Sequence, residues 1–245
     1  MTQPRRQRFA GTKGAPLPII AAAGVAHVAL AVTATVIVGA SPTTESDIVF
    51  VRHYSDPGTR HAIAVSFLLV IVAAAAFIVF LAGLRVVLAS AEDEPHGLAV
   101  LAYTGGIVYV TLLAAADGVF TAATTALGTV TTTPHAHVDA QLVRTAGDIH
   151  WTLASLAGCG GAIMIVSSSL VAGRAGIVGR WPSRVGVVMG VATLAFAMQE
   201  GATDRVGGGA AVVVTFSGVI IFLWMLVASW LIARLGRHDS PAPPP

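Results

Sequence analysis

The chain has 245 residues, of which 55% are apolar and only 11% charged, and it carries a formal net charge of +2. A soluble domain averages about a quarter charged residues. A chain with so few charges cannot cover a water-exposed surface, so most of its side chains must face lipid or one another, in keeping with a mean hydropathy of +0.80.

A net charge of +2 is too small to argue for a nucleic-acid partner, and none is expected. The basic residues are nearly all arginine, with Lys13 the only lysine, and they read best as flanking charge that orients helices in a membrane. Cys159 stands alone in an apolar segment, which excludes an intrachain disulfide and a thiolate metal cluster.

In chain order, residues 1–14 are polar, basic and rich in Gly and Pro, and read as a disordered cytoplasmic N-terminus. Arg5-Arg6 admits a twin-arginine export reading that the following residues fit poorly. The apolar run Ile19–Ala40 spans 22 residues, longer than the roughly 7–15 of a signal-peptide core. At about 1.5 Å per residue it crosses a bilayer core of about 30 Å, so it is the first span, with His27 near its middle. Residues 41–61 form an outer loop with a short helix that Ser41 or Thr44 can cap. Ile48, Val49 and Val51 give that helix an apolar side suited to the membrane surface. Asp56-Pro57-Gly58 is turn chemistry.

Arg60 and His61 open the second span, Ala62–Leu84, and Arg85 anchors its inner end. Glu92-Asp93-Glu94-Pro95 reads as a solvated turn. The third span begins at Gly97 and carries Asp117 after twenty residues, Gly97–Ala116, that hold no ionisable group except tyrosines. A charge at that depth costs roughly 2.5–3.5 kcal/mol on insertion scales, so an intramembrane acid marks a functional-site candidate. Tyr103, Gly106, Val110, Leu113, Asp117, Thr121, Thr124 and Gly128 lie within about 40° of one line on the helix. Such a stripe of small and hydroxyl residues suits helix contact in lipid, which points Asp117 into the bundle. Arg60, His150 or a hydroxyl would be its partner, with Arg60 preferred.

The outer loop 129–148 contains His135-x-His137-x-Asp139, which on an extended segment would face one way. Zinc is a conceivable ligand for such a set, but short His-x-His matches arise easily, and a solvated loop without metal is expected. The fourth span runs from His150-Trp151 to Gly173 with a small-residue face of Ala154, Ala157, Gly161 and Ser168. Arg174, Arg180 and Arg184 mark an inner loop. The fifth span, Pro182–Glu200, ends in a polar turn, and Glu200 joins the intramembrane polar candidates. The sixth span is Gly209–Ala233, and residues 238–245 read as a disordered tail.

Ten of the fourteen basic residues, Arg5, Arg6, Arg8, Lys13, Arg85, Arg174, Arg180, Arg184, Arg234 and Arg237, then fall on one side. By the excess of Lys and Arg in cytoplasmic loops, both termini are cytoplasmic. The expected fold is therefore all-α: an integral membrane bundle of six transmembrane helices in a single domain over residues 15–237.

Several segments add a likeness. The outer segment Tyr54-Ser55-Asp56-Pro57-Gly58-Thr59-Arg60, the second span's close Leu81-Ala82-Gly83-Leu84-Arg85, and Gly179-Arg180-Trp181-Pro182 resemble uncharacterised six-helix membrane proteins found mainly in actinobacteria, the domain-of-unknown-function family 4386. The resemblance implies a fold and a bacterial plasma-membrane location, and it carries no catalytic residue over.

No Walker loop, HExxH or Gly-x-Ser-x-Gly occurs, and no helix-spaced histidine pair suits haem. No catalytic residue and no cofactor is expected. The simplest function is a non-enzymatic bundle acting as sensor, assembly partner or scaffold, with the lipid bilayer and a membrane-protein partner or second copy as its contacts. The alternative is a membrane enzyme or proton-coupled transporter. It would use the outer polar cluster of Arg60, His61, Asp117, Asp148, His150, Glu200 and Asp204.

Overall fold

The computed structural model describes residues 16–39, 47–92, 96–130, 136–202 and 209–238, and every element among them is helical. In order these are α1 (Leu17–Val38), α2 (Asp47–Ser55), α3 (Pro57–Ala91), α4 (Gly97–Val130), α5 (Ala136–Arg174), α6 (Arg180–Ala202) and α7 (Gly209–His238). All but α2 are long and apolar enough to cross a bilayer. The chain is an all-α bundle with the build of a multi-pass membrane protein.

Three segments that lead into helices differ from the sequence expectation. Asp56-Pro57-Gly58 is not a free turn. The Asp56 carboxylate accepts the Thr59 amide at 2.8 Å and caps α3, with Pro57 in its first turn. Proline suits that position because its missing N–H would have no partner there.

The acidic segment is likewise not simply solvated. Glu92 reaches across to the start of α4, its two carboxylate oxygens accepting the Leu98 and Ala99 amides at 3.0 and 2.9 Å. An anion at a helix N-terminus satisfies free amides and opposes the helix dipole.

The largest difference is α5, which begins at Ala136 rather than near His150. Val143 and Ala146, three apart on one helix face, are buried, Val143 against Tyr54 of α2, and that burial extends the helix through a segment rich in polar residues. His137 and Asp139 thus lie on a helix rather than an extended strand, and neighbours two apart on a helix do not share a face. Their side chains, and His135 altogether, lie outside the described residues.

Helix packing rests on glycine. The closest pair is α4 and α5, where a Cβ on Gly160 would sit 2.6 Å from the Gly105 carbonyl oxygen and 2.7 Å from the Tyr109 amide nitrogen. Each helix carries two adjacent glycines, and adjacent positions point about 100° apart. Gly105 therefore admits α5 while Gly106 receives Leu81 of α3; Gly160 admits α4 while Gly161 receives Ile221 of α7. In lipid, where burial of apolar area gives no drive, close backbone approach of this kind holds helices together. Phe77, Phe80, Leu81, Met164, Ile165 and Ile221 fill the centre, each at most 1% exposed.

The bundle has two distinct ends. At one, Gly236 of α7 packs against Leu17 of α1, and the ends of α3, α5 and α7 meet the start of α6. Arg85, Arg174, Arg180, Arg184 and Arg234 belong to this arginine-rich end. At the other, α2 lies over a small cluster of Tyr54, Ile63 and Val143 with Val38 and Phe120.

Candidate functional site

Asp117 on α4 and His150 on α5 face each other beneath α2, Oδ1 to Nδ1 at 3.5 Å. Their side chains are 25% and 19% exposed, so the pair is mostly buried but not closed to solvent. At that length and geometry Nδ1 makes no hydrogen bond, and the contact is one between charges when His150 is protonated. Of the partners expected for Asp117, His150 is therefore the one at ion-pair distance. Among the described residues Arg60 forms no ion pair with Asp117; its Nε is buried without a hydrogen-bond partner.

Aromatic rings roof the pair. Phe120, one turn beyond Asp117, lies 5.7 Å from the His150 ring, and Trp151 lies 5.1 Å from it on the other flank. Phe120 meets Tyr54 of α2 edge to face at 5.6 Å, and Tyr54 meets His53 at 4.9 Å. Tyr54 is only 2% exposed, whereas Val49, taken from sequence for the apolar face, is 45% exposed. Tyr54, rather than Val49, is the anchor of α2. Periodicity over nine residues could not single it out, although an aromatic within a polar surface helix is itself a signal.

His27 is a separate site, in mid-bundle and 2% exposed. Its Nδ1–H donates to the Ala73 carbonyl of α3 at 2.9 Å, which fixes the tautomer and leaves Nε2 bare and without a partner among the described residues. Phe77 and Phe222 flank the ring at 4.8 and 6.0 Å. A cavity of about 20 Å³ opens beside it, lined otherwise by apolar groups of α1, α3 and α4. The remaining candidate, Glu200, lies near the end of α6 with its side chain outside the described residues. The structure thus brings Asp117 and His150 together, with His27 apart from them. Among the described residues no group of three His, Cys, Asp or Glu side chains is arranged to hold a metal ion.

No family model matches the chain, and none of the curated proteins or solved structures compared with it matches either.

Proposed function

We propose that the protein is a non-enzymatic multi-pass protein of the plasma membrane, both termini cytoplasmic, working as a sensor through Asp117 and His150. The observation that carries the sensor reading is the pair itself: two ionisable groups 3.5 Å apart, on the two most closely packed helices, with no hydrogen bond locking them. Histidine is the side chain whose ordinary range of titration falls between about pH 5 and 8. Protonated His150 attracts the Asp117 carboxylate; neutral His150 does not. The ring that moves with this contact touches Phe120, and Phe120 touches the Tyr54 anchor of α2, so a local charge change reaches a surface helix. Among the described side chains, the other basic groups at this end are Arg52 and His53 of α2, Arg60 and His61 of α3, and Arg144 of α5.

Two observations support the orientation. The start of α1 and the end of α7 meet at one end of the bundle, and most of the basic residues belong to that end. An arginine-rich end is the cytoplasmic one under the positive-inside rule.

Hydrogen exchange of α2 in nanodiscs at pH 5.5 and 8, corrected for intrinsic rates, tests the sensor reading. Slower exchange of α2 at pH 5.5, lost in Asp117→Asn, is the expected result. Equal protection at both pH values would reject the sensor. A proton flux in proteoliposomes that Asp117→Asn abolishes would assign the same pair to transport instead.

A further inference from the structure

A second opening lies far from Asp117, at the arginine-rich end. It is a cavity of about 370 Å³ between α6 and α7, floored by Leu88 of α3 and Ala172 of α5, within the usual size range of small-molecule sites of roughly 300–1,000 Å³. No acidic residue lines it. Gly186 of α6 rests directly on Ser169 of α5, and Ser183 Oγ donates to the Ser169 carbonyl at 2.8 Å, so α6 is held to α5 and the gap opens toward α7. Farther along, Phe196 and Phe216 stack at 6.4 Å and close the seam between α6 and α7.

We propose that this groove holds one acyl chain of an anionic phospholipid, with its phosphate among the arginines at the mouth. Three observations fix the occupant. The first is depth. Lining residues run from Trp181 to Met189 on α6 and from Leu223 to Leu235 on α7. At about 1.5 Å per residue these stretches cover roughly 12 and 18 Å. One leaflet is half of a bilayer core of about 30 Å, so the groove is as deep as one acyl layer. A further transmembrane helix would need the whole thickness, which the Phe196–Phe216 stack denies it.

The second observation is charge. Arg180 and Arg184 adjoin the lining residues Trp181, Ser183 and Val185 along α6 and are exposed, and Arg174, exposed too, ends α5 two residues past the lining residue Ala172. Glu92, which caps the end of α3, already accepts the Leu98 and Ala99 amides. Basic pockets between helices at a membrane face suit acidic headgroups. The third is Trp181, 76% exposed at the rim, where an indole sits at headgroup level.

Native mass spectrometry of the full chain with phosphatidylglycerol and with phosphatidylcholine is the test. Each arginine near an anionic headgroup contributes about fivefold in affinity. Phosphatidylglycerol should therefore bind at least about fivefold tighter than phosphatidylcholine. The Arg180→Gln/Arg184→Gln variant, altered only at exposed positions, should lose that preference. Val227→Trp, at a lining position already 56% exposed, should weaken both lipids alike, and Val185→Trp, 42% exposed, repeats the test from the opposite wall. Equal binding of the two lipids overturns the proposal, as does a preference that survives loss of both arginines. Unchanged lipid binding in both tryptophan variants, or dimers that form through the groove in place of lipid, would overturn it too.

Discussion

Gly160→Ala is the sharpest probe of how the bundle is held together. The added methyl would lie 2.6 Å from the Gly105 carbonyl oxygen and 2.7 Å from the Tyr109 nitrogen. Carbon and carbonyl oxygen normally come no closer than about 3.3 Å. The α4 and α5 axes must therefore part locally by about 0.7 Å, the difference between that limit and the 2.6 Å available. Both obstructing atoms are backbone, so no rotamer change relieves the clash, and overpacking of this kind costs about 1–3 kcal/mol. For a chain of this size about 2–4 °C of melting temperature accompanies each kcal/mol, which gives a drop of roughly 2–12 °C.

Gly218→Ala supplies the control, because nothing lies within 4 Å of its added methyl. It should be neutral or stabilise by up to about 1 kcal/mol through lost backbone freedom. Gly105→Ala should behave like Gly160→Ala, and the two together should cost less than their sum, since both open one contact. Thermal melting of the four variants and the parent in one detergent decides the matter. A Gly160→Ala protein that melts within a degree of the parent would refute the account of α4 and α5.

Other outcomes follow from single contacts. A double-mutant cycle of Asp117→Asn and His150→Gln should give a coupling of about 1 kcal/mol, because the pair has no hydrogen bond and keeps some contact with solvent; a value several times larger would mean a drier site. The Thr59 amide holds the Asp56 carboxyl below its ordinary value. The resulting stability is present above the unfolded carboxyl value near about 3.9 and is lost as pH falls through the lower folded one. Exchange protection at the Thr59 amide should therefore fall on acidification below about pH 4 and be absent at all pH values in Asp56→Ala. His27→Leu should melt within about 1.5 kcal/mol of the parent, since Nε2 has no partner to lose and the one hydrogen bond removed, from Nδ1–H to the Ala73 carbonyl, is worth a net of about 0.5–1.5 kcal/mol. His27→Ala should cost about 2–4 kcal/mol by leaving a cavity, and equal melting of the two variants would show the ring to be loosely packed.

The six long helices, the short surface helix and the arginine asymmetry were all legible in the sequence. Length, composition and flanking charge depend on each segment's own contact with lipid and water, and need no knowledge of neighbours. The same local information located Asp117 as a candidate, because an acid after twenty apolar residues is anomalous wherever the helix packs.

What it could not supply was partnership. Gly106 and Gly161 stood on the small-residue faces read from periodicity, but the α4–α5 contact is made by Gly105 and Gly160, one position away on each helix. A lone helix has no record of which of two adjacent glycines meets which neighbour. For the same reason Arg60 was preferred over His150 by depth alone, and depth says nothing about which helices touch. The extension of α5 back to Ala136 follows from Val143 meeting Tyr54 of α2, a contact made by residues distant in sequence. The α6–α7 groove is a gap between helices, so it exists only once α5 has claimed Gly186 and the Phe196–Phe216 stack has closed the seam. Lipid exposure and charge act on each residue alone and are written along the chain, whereas close packing is a property of pairs and is decided only when the helices assemble.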